Sequence, residues 1–320
     1  MLYVAGYPRS GSTLLLRLLA SEEGFVGVGE LYDVWQRSFL EDQLCGCGRR
    51  FSACPFWREV TARVLGDASV SDALAYEELR TRVQSTRFLP WLLVPRLRPP
   101  DYRARLASYA AMLSRVYDAI RAVSKADVLV ESSKLPAYAL LLSEAPGIEM
   151  HLVHLVRDSR ATAFSWQRRR LRPEIHWRAQ YMDRISPTRT AAEWTAINLL
   201  FGLVRNRAAS YSRLHYEDFV ARPRKAAEAI SRQVGLPRDF ADVVDDRGFV
   251  HLGIDHTVSG NPARFRSGHE RIGLDDEWRD RMPRRDFALV TTISAPLLFA
   301  YGYATRRRER EPPVRGPAGT

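Results

Sequence analysis

Leu2-Tyr3-Val4-Ala5-Gly6-Tyr7-Pro8-Arg9-Ser10-Gly11-Ser12-Thr13-Leu14-Leu15-Leu16 reads as a short strand, a glycine-bearing turn and the apolar start of a helix. Such a junction lines up free backbone N–H groups at the positive end of a helix dipole, which makes a cradle for an anion. The glycine spacing fits GxxxxGK[ST] at Gly6, Gly11 and Thr13, but Ser12 stands where a nucleoside triphosphatase places its lysine. The cation inside the loop is Arg9, earlier and beside Pro8. Without that lysine the loop suits a phosphate-type group on a different nucleotide.

The remaining strands extend this start into an α/β pattern. Residues 24–30 form a second strand ending in Glu30, and 126–131 a third, followed by Ser132-Ser133-Lys134-Leu135-Pro136. His151 to Val156 is almost wholly apolar, as at the centre of a parallel sheet covered on both faces. Residues 211–216 make another strand. In open α/β sheets ligands sit beyond the carboxyl ends of the strands, so Glu30 and Lys134 can share a crevice with the cradle. Arg157 follows its strand directly and Ser165 lies eight residues on in the next helix, so both can converge on one anion, the arginine as a bidentate fork. Asp158 is placed to orient Arg157 or to cap that helix.

Tyr7-Pro8-Arg9-Ser10-Gly11-Ser12-Thr13-Leu14-Leu15 closely resembles the 5′-phosphosulfate loop of sulfotransferases that use 3′-phosphoadenosine 5′-phosphosulfate (PAPS). Val153-His154-Leu155-Val156-Arg157-Asp158-Ser159-Arg160-Ala161-Thr162-Ala163-Phe164-Ser165 resembles the strand and helix that bind the 3′-phosphate in that family. Weaker likenesses lie at Gly29-Glu30, at Glu131-Ser132-Ser133-Lys134 and in the loop 256–265, and resemble the tyrosylprotein and carbohydrate arm more than the cytosolic phenol and steroid arm.

The resemblance implies an α/β fold: a central, mostly parallel sheet flanked by helices, with one domain over 1–305 and a helical insertion over about 60–122 on the acceptor side. It implies in-line transfer of a sulfuryl group from PAPS to a hydroxyl of an acceptor, releasing 3′-phosphoadenosine 5′-phosphate. In that scheme Arg9, Ser10, Gly11, Ser12 and Thr13 hold the phosphosulfate and Arg157 with Ser165 holds the 3′-phosphate. Lys134 offsets developing charge and Glu30 removes the acceptor proton. Arg264 and Arg266, in and just after the late polar loop, are the candidates to fold over the nucleotide. No metal is required, because cations and amides of the protein meet the charge.

Composition sets wide bounds. With 320 residues, 46% hydrophobic and 27% charged, the chain can bury a full core. The net charge of +11 suits a polyanionic ligand but equally non-specific nucleic-acid contact, so it selects neither. A P-loop kinase or nucleotidase and a non-catalytic basic protein are the rival classes, and each would require the two anion motifs to coincide by accident. Partner expectations are a hydroxyl-bearing acceptor and no nucleic acid. No leader is apparent and the apolar stretch 287–304 is interrupted by polar residues, Pro296 and Gly302, so the expectation is a cytoplasmic protein without a membrane span. No motif names the acceptor or the oligomeric state.

Four other features stand apart. Cys45-Gly46-Cys47 and Cys54 offer three ligands, with neither a second CxxC nor a neighbouring histidine to complete a metal set, and the spacing alone leaves a disulfide, a metal site or neither open. The expectation is a compact loop near the acceptor mouth. The run Phe88 to Pro95 is either a core crossing or a pocket wall, and Arg168-Arg169-Arg170 with Arg172 reads as a solvated basic face. Residues 306–320 read as a disordered basic and Pro/Gly-rich tail.

Overall fold

The computed structural model describes residues 1–66, 70–245 and 247–303; the tail expected at 306–320 lies outside them. Five strands, β1 (Leu2–Ala5), β2 (Phe25–Gly29), β3 (Val128–Glu131), β4 (His151–Val156) and β5 (Ser210–His215), form one parallel sheet in the order β2-β3-β1-β4-β5. Leu2 is in register with Val130 on one side and His151 on the other. The chain first builds outward from β1 toward β2 and then resumes on the opposite side with β4. The crevice at the carboxyl end of β1 is therefore the topological switch point where α/β sheets place their ligands.

Side-chain alternation along β1 explains why the strand carries no polar residue. Tyr3 and Ala5, with Leu129 and Leu152, enter a core built by α2 (Pro55–Leu65), α3 (Val70–Val83), α4 (Leu89–Leu93), α5 (Pro100–Ser124) and α6 (Pro136–Leu142). Leu2 and Val4, with Val130, Val153 and Leu155, enter a second core under α1 (Ser12–Ala20) and two later helices. Both faces are buried, so apolar residues are required at odd and even positions alike.

The helical insertion spans α2 to α5. Phe88 and Trp91 pack on Tyr102, with ring centroids 5.1 Å and 4.8 Å away, so the Pro-bounded apolar run is a core crossing. Among the described residues, none of these helices contributes to the central cavity described below. The run's apolar surface is taken up by packing within the insertion and cannot also wall a pocket.

The chain continues through α7 (Ser159–Gln167), α8 (Pro187–Val204), α9 (Tyr216–Ala221) and α10 (Pro223–Gln233). It then forms an antiparallel hairpin of β6 (Phe249–Leu252) and β7 (Gly268–Arg271), and ends in α11 (Trp278–Arg281) and α12 (Arg284–Ala300). The long connection inside that hairpin returns to the sheet edge: Glu30 N–H donates to the Val258 carbonyl at 2.9 Å and Val258 N–H to that of Val28 at 3.1 Å. Helix α12 buries Val290, Ser294, Leu297 and Leu298 against the body of the protein. No helix among the described residues is long and apolar enough to cross a membrane.

Candidate active site

Two glycines shape the opening turn. Gly6 lies at φ 128°, where a Cβ would stand 2.2 Å from the Leu155 carbonyl oxygen; Gly11 lies at φ 93°, where a Cβ would stand 2.6 Å from the Tyr216 ring. Only glycine meets both demands. Gly11 caps α1 without any side-chain acceptor, so the first amides of the helix point outward unpaired. They face a cavity of about 390 Å3, a volume in the range of small-molecule sites.

The strand ends supply the rest. Beyond β2 comes Glu30; beyond β3 comes Lys134, whose ammonium donates to Glu30 Oε1 at 2.5 Å and to the Ser132 carbonyl. Lys134 is buried and held at φ 59°, a left-handed conformation that a lysine adopts only under constraint. The Tyr3 hydroxyl clamps the neighbouring residue, accepting from Leu135 N–H at 3.0 Å and donating to its carbonyl at 3.1 Å. Glu131 is completely buried and braces both strand ends, accepting from Ser133 N–H at 2.8 Å, Leu31 N–H at 3.4 Å and the Tyr117 hydroxyl at 3.0 Å. Burial outweighs these donors and pushes its carboxyl up to about 7.

Arg157, beyond β4, donates to the Arg9 carbonyl at 3.1 Å and the Asp275 carbonyl at 3.0 Å, pairs with the Asp275 carboxylate at 3.2 Å, and lies over the Tyr216 ring at 4.5 Å. Its own carbonyl accepts from Trp194 Nε1 at 3.0 Å; Asn198, one turn on, binds the Trp194 carbonyl and His154, so the two polar positions on α8 are anchors. Asp158 caps α7 by accepting from Arg160 N–H at 2.8 Å.

Arg9, also left-handed at φ 75°, lies over Trp166 at 4.7 Å and reaches Met182 Sδ at 3.0 Å. Burial and the nearby Arg170 lower its pKa to about 10. Arg9 Nε and Nη1, Arg157 Nε and Ser10 Oγ are buried with no partner among the described residues. Unpaired buried donors are costly, and the three on Arg9 and Arg157, which line one cavity, constitute a site waiting for acceptors.

The Sulfotransferase family profile matches residues 2–242. The chain belongs to the sulfotransferase family. Among solved structures it is similar to the sulfotransferase domain of the Synechococcus PCC 7002 olefin synthase, at 20% identity over 92% of this chain and 94% of that one, with a TM-score of 0.47. The sulfotransferase domain from the curacin biosynthetic pathway is 17% identical over 93% and 96%, with a TM-score of 0.50. Sulfotransferase STF9 from Mycobacterium avium is 12% identical over 93% and 76%, with a TM-score of 0.46. Of these, the likeness to the curacin-pathway domain bears on the fold alone. No curated protein matches the sequence.

In this sulfotransferase the cavity brings together Arg9, Gly11, Ser12 and Thr13 from the first turn with Glu30, Lys134 and Arg157 from three later strand ends and Ser165 from α7. Ser10 is buried just behind the loop. The two late arginines are elsewhere. Arg264 is fully buried, donating to the carbonyls of Thr257 and Leu44 at 2.6 Å each, so its guanidinium ties loops together and does not line the cavity. Arg266 is exposed beside Glu270, also away from the cavity. From the late loop it is Gly260, Asn261 and Ala263 that line the site.

The basic run that follows α7 is not all solvated face: Arg170 lines the cavity and Arg168 pairs with Asp275 at 3.0 Å. Sequence reasoning also passed over Tyr216, Trp166 and Asp275. Their signal was present only as aromatic and acidic residues adjoining predicted strand ends and basic runs.

Proposed function

We propose that this sulfotransferase takes PAPS as donor and transfers its sulfuryl group to a hydroxyl of an acceptor. The observation that carries the proposal is the set of unpartnered buried donors on Arg9 and Arg157, drawn from two distant segments of chain and lining one cavity. A ligand with anionic groups at two ends satisfies both sets at once. The first-turn amides and Arg9 hold the 5′-phosphosulfate, and Arg157 with Ser165 holds the 3′-phosphate.

The acceptor oxygen attacks sulfur in line as the bond from sulfur to the bridging phosphate oxygen breaks. The hydroxyl proton passes to Glu30, and 3′-phosphoadenosine 5′-phosphate leaves. Lys134, resting on Glu30 before the donor arrives, turns toward the bridging oxygen to meet the charge that develops there. That exchange frees the carboxylate to act as base. Cations and amides of the chain supply the electrostatic stabilisation throughout.

The test pairs calorimetry with transfer of radiolabelled sulfate from PAPS into a metabolite extract. Arg157→Ala is expected to weaken binding of adenosine 3′,5′-bisphosphate, whereas Glu30→Gln leaves binding intact and lowers turnover. No heat with the bisphosphate alongside tight binding of ATP and magnesium would overturn the donor assignment, and full turnover in Glu30→Gln would remove it as the base.

A further inference from the structure

Away from the cavity, the fold completes a set of ligands that the sequence leaves one short. Cys45, Cys47 and Cys54 carry free thiols, and His256, 211 residues beyond Cys45, comes to meet them. The three sulfurs and one ring nitrogen of His256 all lie within 4.8 Å of one another. We propose that these four residues bind one zinc ion as a closed structural site.

The geometry fits that ion. Bonds of about 2.3 Å to sulfur and 2.0–2.1 Å to nitrogen at tetrahedral angles place two sulfurs about 3.8 Å apart and sulfur and nitrogen about 3.6 Å apart. Cys47 and Cys54 are 3.8 Å apart, Cys45 Sγ is 3.7 Å from Nδ1, and Cys54 Sγ is 3.2 Å from it. A sulfur separation of 3.8 Å is far from a disulfide bond. Three thiolates and an imidazole form a soft, tetrahedral donor set, which selects zinc over the harder divalent ions.

The surroundings are built to hold the donors still. Gly48 N–H closes on the Cys45 carbonyl at 2.8 Å, turning the two cysteines of the short motif toward one point. Gly46 between them has no room for a side chain, since a Cβ would stand 2.3 Å from Asp255 Oδ1. Cys54 occupies the N-cap of α2, where the helix dipole favours a thiolate. The His256 ring is stacked on Phe56 with centroids 4.9 Å apart and planes 3° off parallel, and its carbonyl accepts from Trp57 Nε1 at 2.7 Å. Cys45 and Cys54 are completely buried, and four protein ligands leave no open position, so the ion serves structure and not the transfer reaction.

The consequence is mechanical. Zinc would pin the segment around His256 to the cysteine loop, alongside the hydrogen bond from Gly46 N–H to the Thr257 carbonyl at 2.9 Å. Val258 in the same segment carries the Glu30 amide, and Gly260 lines the cavity next to the Glu30 carboxylate. This inference does not depend on the identity of the donor.

The protein is expressed with zinc and iron both supplied, purified under reductant and desalted, and its metals are measured by inductively coupled plasma mass spectrometry. One zinc per chain is expected. Mercurial modification of the native protein is expected to release that zinc in step with the loss of three thiols. Cobalt-loaded protein is expected to show a thiolate charge-transfer band that weakens in Cys47→Ser and Cys54→Ser. If a variant does not fold, the mercurial titration of the unmodified chain still decides. The proposal is overturned by the absence of stoichiometric zinc, by iron in its place, by a Cys47–Cys54 disulfide in the native protein, or by zinc release that leaves the three thiols unreacted.

Discussion

Replacing Arg9 by glycine is expected to change stability and ligand binding in opposite directions. Arg9 has two buried nitrogens without protein partners, and its pKa is lowered to about 10 by burial and by Arg170. Arginine is a base, so a lowered pKa means that the fold disfavours its charged form, which is the form present at neutral pH. The shift corresponds to about 3 kcal/mol at most; discounted for the partial exposure of the side chain, about 1–2 kcal/mol remains. Relief of the left-handed φ of 75° adds about 1 kcal/mol, and loss of the stack on Trp166 together with the freedom of glycine in the unfolded chain removes about as much.

The unliganded variant should therefore melt at or slightly above the temperature of the parent. Binding should behave in the reverse way. Two charge-assisted hydrogen bonds at about 1.5–3 kcal/mol each amount to a loss of roughly 100-fold or more in affinity for adenosine 3′,5′-bisphosphate. Arg9→Lys, which keeps the charge and loses the fork, should fall between the two. Differential scanning calorimetry without ligand and titration calorimetry with the bisphosphate measure both halves. A variant that melts several degrees lower yet binds normally would show that Arg9 holds the loop together and grips nothing.

Glu131 gives a pH signature. Its folded pKa, pushed up to about 7, lies above the usual 4.5, so the native state holds a proton that the unfolded chain releases. Stability should then fall by about 3 kcal/mol as pH rises from about 4.5 to 7, and Glu131→Gln should flatten that part of the curve; an unchanged slope in chemical denaturation would refute the assignment. Arg264→Ala should strand the Leu44 carbonyl and leave that of Thr257 with Gly46 N–H alone, lowering the melting temperature by the equivalent of about 1–3 kcal/mol. The folded variant should keep its affinity for the bisphosphate, whereas a drop matching that of Arg157→Ala would return Arg264 to the ligand.

The features that were legible in the sequence share one property: their meaning is local. The parallel sheet is written in strands such as Leu2–Ala5 and His151–Val156, apolar on both faces because both are covered. The cradle is written in two glycines five positions apart, and Arg157 and Ser165 are read from a single strand-helix junction. The places of Arg264 and His256 were not legible for the complementary reason. A loop arginine looks available to a phosphate until the fold places the Thr257 and Leu44 carbonyls 2.6 Å from its guanidinium. At that point satisfying buried backbone takes precedence over ligand contact. Likewise, three cysteines near residue 50 look incomplete as long as only their neighbours in sequence are searched, because the fourth donor arrives through the pairing of Val258 with the edge of the sheet. One segment, 256–264, accounts for both. Its polar composition marked it as functional, and its tertiary partners decide which function: two of its side chains face inward to fix the loop, and the small residues between and beside them, Gly260 and Ala263, are left to line the site.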